Sequence, residues 1–340
     1  MTEPSFVNGA ILVITRRGVL LAGGIGLLAS HPLSHGQAAG TIRRVAWFSI
    51  GSRASPHDGY AAFTQGMHDL GWREGKNVEY QRVYADGEVS RLDALASELV
   101  RQTVDVIVVG NATTARAFQR ATKTVPIVMG SVNNPVGNGL VASLAKPGGN
   151  ITGIATQSDE VLGKLVEILH EVAPGARRIA FLLNETTPSY SAYWSAAQSA
   201  CTALELDAQR ILANVPAQLD AAVKEIVRQR SQAVVVAADP LYLNERANLH
   251  ALMQGTRLPG AYSFREHVVA GGLLSYGVDQ VATYRHAAAI VDKILKGARP
   301  SDLPVEQPTA FELVINLKTA KALGLSIPAA VLARADGLIQ

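Results

Sequence analysis

The sequence contains a single cysteine, Cys201, among its 340 residues. One cysteine excludes an intramolecular disulfide, and it leaves no cysteine and histidine cluster with the spacing of a metal site. It also excludes a lipid-anchored cysteine behind the apolar stretch near the amino terminus. Cys201 lies within an apolar helical pattern, so we expect a buried structural thiol and not a nucleophile.

Charge is also sparse, since only 17% of the residues are charged and the formal net charge is +3. A balance this small gives no indication of a nucleic-acid partner. Hydrophobic residues make up 48% of the chain, which is enough for a large core and for two domains. We therefore expect a folded protein that binds no nucleic acid.

Catalytic motifs are missing as well. The sequence has no G-x-S-x-G elbow, no H-E-x-x-H pair and no phosphate-binding G-x-x-x-x-G-K-[ST] loop. The string GNGLVA (137–142) fits a dinucleotide fingerprint, and Asp159 lies 20 residues after Gly139. A plain turn is favoured instead, because Pro135 precedes the string and because the string comes at the end of a series of strands and helices, whereas a dinucleotide fingerprint comes at its start. We predict no catalytic residue, no metal site and no cofactor.

No apolar run is long enough to cross a bilayer. The longest near the amino terminus has 12 residues, Gly18 to Ala29, and directly follows Arg16 and Arg17. Small residues at Gly36 and Ala38 then fit a signal peptidase site. The sequence therefore predicts an export signal over residues 1–38 and a periplasmic protein. The arginine pair also fits the twin-arginine route, and the choice between the two export routes stays open.

Short β-branched runs alternate with helix-length segments from residue 43 onward, which predicts parallel sheets covered by helices. The series repeats: RRVAWFSI (43–50) recurs as RRIAFLLN (177–184), and VPIVMGS (125–131) falls opposite LPGAYSF (258–264). The predicted fold is therefore α/β, with two doubly wound parallel-sheet lobes joined by a hinge of several crossings.

The lobe boundary falls in a segment rich in glycine and small polar residues, 145–158. The helix and the strand predicted after residue 277 come after both sheets are complete. We therefore expect the chain to cross back between the lobes there. We predict a first lobe of residues 42–156 plus about 278–302. The second lobe takes about 157–277 plus about 303–325, and residues 326–340 form a C-terminal segment.

Ligands of open α/β sheets bind beyond the carboxyl ends of the strands, where helix N–H groups point outward. For Asp239, a helix cap and a ligand contact are equally supported, whereas for Tyr276 a place in the cleft is favoured over interlobe packing near the hinge. Applied to the predicted strands, the rule selects a set of small polar, amide, acidic and aromatic residues. The predicted binding residues are Ser49, Gly51, Asn111, Ala112, Thr113, Asn133, Asn134, Asp239, Tyr262 and Tyr276.

Several long strings resemble one family. SYGVDQVATYRHAAAIVDKILKGARPSDLPVEQPTAFELVINLKTAKALGL (275–325) is similar to the C-terminal signature of ABC-transporter substrate-binding proteins of the tryptophan/tyrosine type. GNATTARA, NNPVGNGLVASLAKPGGNITGI and ADPLYLNER also occupy matching places, so the resemblance covers nearly all of residues 42–338. One departure is Asn134-Pro135, where Asp-Pro is common.

The resemblance implies a type I periplasmic-binding-protein fold that closes on a small ligand and presents it to a membrane permease. The ATPase would be a separate subunit, the binding protein a monomer, and no catalysis is expected. Some family members bind aromatic amino acids. We expect a small zwitterion, with its carboxylate at the helix near Ala112 and its ammonium at Asp239. The alternative is the ligand-sensing domain of a periplasmic signalling system.

Overall fold

The structure, a computed structural model, describes residues 42–53, 58–308 and 310–340. The predicted export signal, residues 1–38, lies outside the described residues. Within the described ranges, no helix has both the length and the apolar character needed to span a membrane.

The first half of the chain builds a parallel sheet with helices on both faces. Its strand order is β2-β1-β3-β4-β5, and every pairing is parallel. The elements in chain order are β1 (Arg43–Ser49), α1 (Asp58–Asp69), β2 (Val78–Tyr84), α2 (Leu92–Arg101), β3 (Val106–Val109), α3 (Ala112–Ala121), β4 (Ile127–Asn133) and β5 (Ile151–Thr156). All four residues of β3 are buried, as expected for a parallel strand covered on both sides.

The second half repeats this plan and extends it. The strand order is β12-β11-β10-β9-β8-β6-β7, with only β10 and β11 antiparallel among the described strands. Its elements are α4 (Ser158–Val172), β6 (Arg178–Leu183), α5 (Tyr190–Ala203), β7 (Asp207–Leu212), α6 (Leu219–Arg228), β8 (Ala233–Val236), α7 (Pro240–Asn244), α8 (Arg246–Gln254), β9 (Gly260–Tyr262), α9 (Arg265–Val269), β10 (Leu274–Val278), α10 (Gln280–Leu295), β11 (Phe311–Asn316), α11 (Leu317–Leu323), α12 (Ala329–Leu332) and β12 (Gly337–Ile339). The sequence repeat is visible in the topology, because β2-β1-β3-β4 and β7-β6-β8-β9 have the same order. The prediction of two α/β lobes is confirmed.

The glycine-rich segment 145–158 contains a strand that the sequence analysis missed. Ile151–Thr156 forms β5, is buried throughout and pairs with β4. Gly153 makes this pairing possible, because a Cβ at that position would lie 2.2 Å from the carbonyl oxygen of Met129. Its φ of +133° is also one that other residues avoid.

The chain passes between the two sheets three times. It leaves the first sheet after β5, and α10 then returns from β10 to pack on α1 and β4. Residues 303–306 next run along β5, where Glu306 N–H donates to Gly153 O at 2.9 Å, before β11 joins the second sheet. Residues 303–306 therefore lie on the first lobe and not, as the sequence predicts, on the second. Residues 326–340 are part of the second lobe and not a separate segment, because β12 pairs with β11 and Val331 is buried.

Candidate functional site

The carboxyl ends of the two sheets face each other across a cleft with two adjoining compartments. The inner compartment has a volume of about 1100 Å³ including its open mouth, and residues of both lobes line it. The outer compartment has a volume of about 840 Å³ on the same basis. Six residues line both and form the border: Ile50, Gly51, Asn111, Thr187, Pro240 and Asn244.

The amino terminus of α3 lies at this border. Asn111 caps the helix, since its side-chain oxygen accepts from the Thr114 N–H at 2.9 Å, and its carbonyl accepts from the Ala115 N–H. The N–H groups of Ala112 and Thr113 have no acceptor among the described residues. Two free donors at the positive end of a ten-residue helix are suited to an anion such as a carboxylate.

Two buried side chains of the inner compartment carry polar atoms without a partner. Asn133, 7% exposed at the end of β4, uses its oxygen to accept from the Ser158 N–H at 2.8 Å. Its nitrogen has no acceptor in the described ranges, and neither has the hydroxyl of Ser263, which is 6% exposed. Buried donors without partners are costly, so these two atoms identify places where a ligand can form hydrogen bonds.

Asp239 caps α7 and also lies against the outer compartment. Its Oδ1 accepts from the Leu241 N–H at 2.8 Å and from Asn184 Nδ2 at 3.4 Å. No described group donates to Oδ2. Burial raises the pKa of this carboxyl to about 6, because the ionised form loses its hydration and gains no cation. Asp239 can therefore cap α7 through Oδ1 and still accept a hydrogen bond from a ligand through Oδ2.

Within the part of the chain that the structure describes, the charged side chains lining the two compartments are all acidic. Glu266 lines the inner compartment, and Asp86, Asp239 and Glu245 line the outer one. In the outer compartment, Asp86 is balanced by Arg91 at 3.0 Å, whereas Asp239 and Glu245 have no ion-pair partner among the described residues. The potential in the outer compartment therefore favours an ammonium group over a carboxylate.

Aromatic side chains form much of the inner wall. Trp47 and Tyr284 lie with ring centroids 5.1 Å apart, and Phe264 and Tyr193 line the same compartment from the second lobe. Tyr193 donates its hydroxyl hydrogen to the carbonyl of Ala238 at 3.1 Å, which fixes the ring. Trp47, Tyr193 and Tyr284 are each at most 4% exposed, so small parts of these rings reach the compartment and make its wall apolar.

The model of the family described as ABC transporter substrate binding protein matches residues 46–339. The chain belongs to this family. Its members are binding proteins that serve ABC transporters outside the cytoplasm, which confirms the predicted family, the two-lobed fold and the capture of a small ligand. The alternative of a sensor domain is not favoured.

Relatives of this substrate-binding protein include a protein named tyrosine-binding protein from Clostridioides difficile (strain R20291). It is 25% identical over 263 residues, which are 77% of this chain and 75% of the relative. A structure of an ABC domain from Streptococcus pneumoniae in complex with L-Trp is 24% identical, with a TM-score of 0.82, over 88% of this chain and all of the other. A conserved domain protein from Vibrio cholerae is 27% identical, with a TM-score of 0.83 and the same coverage.

The structure of this substrate-binding protein brings together seven of the ten predicted binding residues. Ser49, Gly51, Asn111, Ala112 and Asn133 line the inner compartment. Thr113 and Asp239 line the outer compartment. All seven follow directly from the rule that strand ends and helix starts meet at one edge of a sheet.

The other three predicted residues lie elsewhere. Asn134 has a left-handed φ of 43°, and its side-chain oxygen accepts from the Gly137 N–H at 2.9 Å to close a turn. Tyr262 is 2% exposed and stacks on His267 within the second lobe. Tyr276 stacks on Phe311 with ring centroids 5.8 Å apart and packs against the core of the second lobe.

Sequence reasoning also missed residues that line the inner compartment. Gln280 and Tyr284 are four positions apart at the start of α10, and Gln280 donates to Ser131 Oγ at 3.4 Å. The predicted crossing after β10 could have indicated these two residues, because a chain that crosses between the lobes there places the first turns of α10 beside the cleft. Glu266 and Tyr193 had no comparable signal in the sequence.

Proposed function

We propose that this protein captures an amino acid with a large aromatic side chain in the inner compartment and delivers it to the permease of an ABC importer. The observation that carries the proposal is the combination of free N–H donors, a buried carboxylate without a cation, and aromatic walls within one cleft. The relatives support it, since one is named a tyrosine-binding protein and another was solved with L-Trp.

The ligand carboxylate is held by the N–H groups of Ala112 and Thr113, where the dipole of α3 adds to the hydrogen bonds. Asn133 Nδ2 and Ser263 Oγ supply donors from the first and the second lobe. A ligand that satisfies donors on both lobes stabilises the closed arrangement more than the open one.

The ligand ammonium is held by Asp239 Oδ2. An ammonium placed there pairs with the buried carboxylate and removes the cost of its uncompensated charge. The aromatic side chain lies in the inner compartment between Trp47, Tyr284 and Phe264, where it is removed from water.

Transport requires the remaining parts of an importer. The protein is exported by the signal over residues 1–38 and acts in the periplasm as a monomer without cofactor or catalysis. The permease and the ATPase are separate proteins. The three crossings act as the hinge about which the lobes open to release the ligand.

A thermal-shift screen followed by calorimetry tests the proposal. The protein is heated with each of the twenty amino acids, with sugars and with purines. A ligand present at about 1,000 times its Kd adds about 4 kcal/mol to the free energy of unfolding. We expect L-Tyr and L-Trp to give the largest shifts and L-Asp and L-Glu to give none. Shifts with sugars or purines alone would contradict the proposal.

A further inference from the structure

The outer compartment extends the cleft beyond the place proposed for a free amino acid. With its carboxylate on α3 and its ammonium on Asp239, such a ligand uses the border of that compartment together with Thr113 and Asp239. Beyond them lie Asn184, Asn214 and Glu245, contributed by three separate segments of the second lobe, and Asp86 of the first. These polar side chains alternate with apolar ones such as Val89 and Leu241, whereas the aromatic rings at the cleft line the inner compartment among the described residues.

The acids of the outer compartment differ in how they are compensated. Asp86 forms an ion pair with Arg91 at 3.0 Å. Glu245 accepts from Asn248 Nδ2 at 3.3 Å and has no basic partner within 4.0 Å among the described residues. Asp239 is 4% exposed, and its Oδ2 has no donor in the described ranges. A buried carboxylate with one oxygen that lacks a described donor, in a compartment that a second acid without a basic partner also lines, is suited to a donor followed by a cation.

We propose that the outer compartment binds an amino-terminal extension of the ligand, so that the protein also takes dipeptides whose carboxy-terminal residue is aromatic. The inference rests on the proposed function, because it keeps the carboxylate on α3 and the ring in the inner compartment. The peptide N–H then donates to Asp239 Oδ2 in place of the ammonium. One added residue moves the new ammonium by about 3.6 Å into the compartment that Glu245 also lines.

The charges also fix the direction of the extension. A dipeptide with the aromatic residue first would carry its carboxylate into a compartment whose uncompensated charges are negative. If the carboxylate stayed on α3 instead, the aromatic ring would leave the inner compartment and lie beside the acids of the outer one. Both placements are unfavourable, so the cleft discriminates between two peptides of identical composition.

Calorimetry with L-Tyr, L-Ala-L-Tyr, L-Tyr-L-Ala and N-acetyl-L-Tyr tests the proposal on the purified protein. We expect L-Ala-L-Tyr to bind within about tenfold of L-Tyr and to compete with it. L-Tyr-L-Ala should bind at least about a hundredfold more weakly, and N-acetyl-L-Tyr about tenfold more weakly than L-Ala-L-Tyr because it lacks the cation.

The variant Glu245→Gln separates the extension from the amino-acid site. It should weaken L-Ala-L-Tyr about tenfold and L-Tyr by less than about twofold, since the added ammonium pairs directly with Glu245 whereas the ammonium of L-Tyr pairs with Asp239. Glu98→Gln, which removes an exposed carboxylate on α2 away from the cleft, should change neither.

The outcomes distinguish this inference from the proposed function. If L-Tyr binds and L-Ala-L-Tyr does not, or if both dipeptides bind equally, the extension is wrong and the amino-acid site stands. Equal losses for L-Tyr and L-Ala-L-Tyr in Glu245→Gln would also overturn the extension. If neither L-Tyr nor L-Ala-L-Tyr binds, both proposals fail. Binding of L-Ala-L-Tyr alone would support the extension and remove the free amino acid as the ligand.

Discussion

The side-chain oxygen of Asn133 accepts a hydrogen bond from the backbone N–H of Ser158 at 2.8 Å. This bond ties the end of β4 to the start of α4, where the chain first leaves the first sheet. Because the oxygen is used in this way, the buried nitrogen of Asn133 is left without an acceptor among the described residues, at the wall of the inner compartment. One side chain therefore joins the hinge to the compartment in which we propose that the ligand binds.

Asn133→Asp is expected to weaken ligand binding while keeping the bond to Ser158. The carboxylate has nearly the same shape, so one oxygen still accepts from the Ser158 N–H, but the donor to the ligand becomes an acceptor. A lost hydrogen bond to a charged group costs about 1.5 to 3 kcal/mol, which lowers the affinity for L-Tyr roughly tenfold to a hundredfold in calorimetry.

Asn150→Asp provides the matched control for this variant. Asn150 Nδ2 donates to the carbonyl of Val125 at 2.7 Å, away from the cleft. Its replacement should lower the melting temperature and leave the affinity for L-Tyr unchanged. An unchanged affinity in Asn133→Asp would remove Asn133 from the site.

Asp239 should give ligand binding and unliganded stability opposite dependences on pH. Its pKa in the folded protein, about 6, lies above the ordinary value of 3.8 for an aspartate carboxyl, because burial disfavours the charge. The unliganded protein therefore loses about 2 to 3 kcal/mol of stability from this group as pH rises from below 4 through 6. Affinity for an amino acid instead falls as pH drops below 6, since the protonated acid no longer pairs with the ammonium.

Denaturant unfolding and calorimetry between pH 4 and 8 measure both effects, and Asp239→Asn should remove both. The amide oxygen can still accept from the Leu241 N–H, so the cap of α7 is retained. A pH profile of affinity that is the same in both proteins would show that Asp239 holds no ammonium.

The parts of the site that could be predicted from the sequence are those governed by parallel-sheet geometry. Asn111 and Ala112 follow β3, and β3 shows itself in the sequence as an unbroken β-branched run, so their place at the cleft follows from the fold alone. Glu266 depends instead on how α9 sits after β9, which is set by packing between distant segments.

Tyr276 shows why a sequence pattern can assign to the cleft a residue that lies next to the one lining it. Successive side chains of a strand point to opposite faces, so one position separates a cleft residue from a core residue. Gly277 lines the inner compartment, whereas Tyr276 beside it packs on Phe311. The sequence also does not predict β5. A glycine within a strand is read as a loop residue, and the reason for Gly153, its close approach to the backbone of Met129, is visible only in the structure.

A buried histidine pair in the second lobe should make the fold sensitive to acid. His250 and His267 both contact the ring of Tyr262, with centroids 5.1 and 4.7 Å away. Burial lowers the pKa of His250 to about 4 and that of His267 well below its usual value. The unfolded chain therefore binds more protons below pH 6.5, so the stability contributed by the pair is present above that pH and is lost toward pH 4.

His267→Phe should reduce this acid sensitivity, because phenylalanine keeps the ring beside Tyr262 and cannot be protonated. The difference in free energy of unfolding between variant and wild type is measured at each pH from 4 to 8, which cancels the contributions of all other groups. His68→Gln, at a half-exposed position on α1, should leave the profile unchanged. A constant difference between His267→Phe and wild type would exclude the pair as a source of acid sensitivity.

Trp47 should report ligand binding through its fluorescence. Of the three tryptophans, only Trp47 lines the inner compartment within the described ranges. Trp72 instead donates to Asp292 Oδ1 at 2.9 Å, and Trp194 packs edge-on against Phe181. Trp47 is 3% exposed, so a ligand ring against it changes the packing and polarity around a buried indole. Titration with L-Tyr under selective tryptophan excitation should therefore change its emission, with the Kd that calorimetry gives. Trp47→Phe keeps a ring in the wall but should abolish the change, whereas Trp194→Phe should preserve it. A change that survives Trp47→Phe would place the bound ligand away from this wall of the cleft.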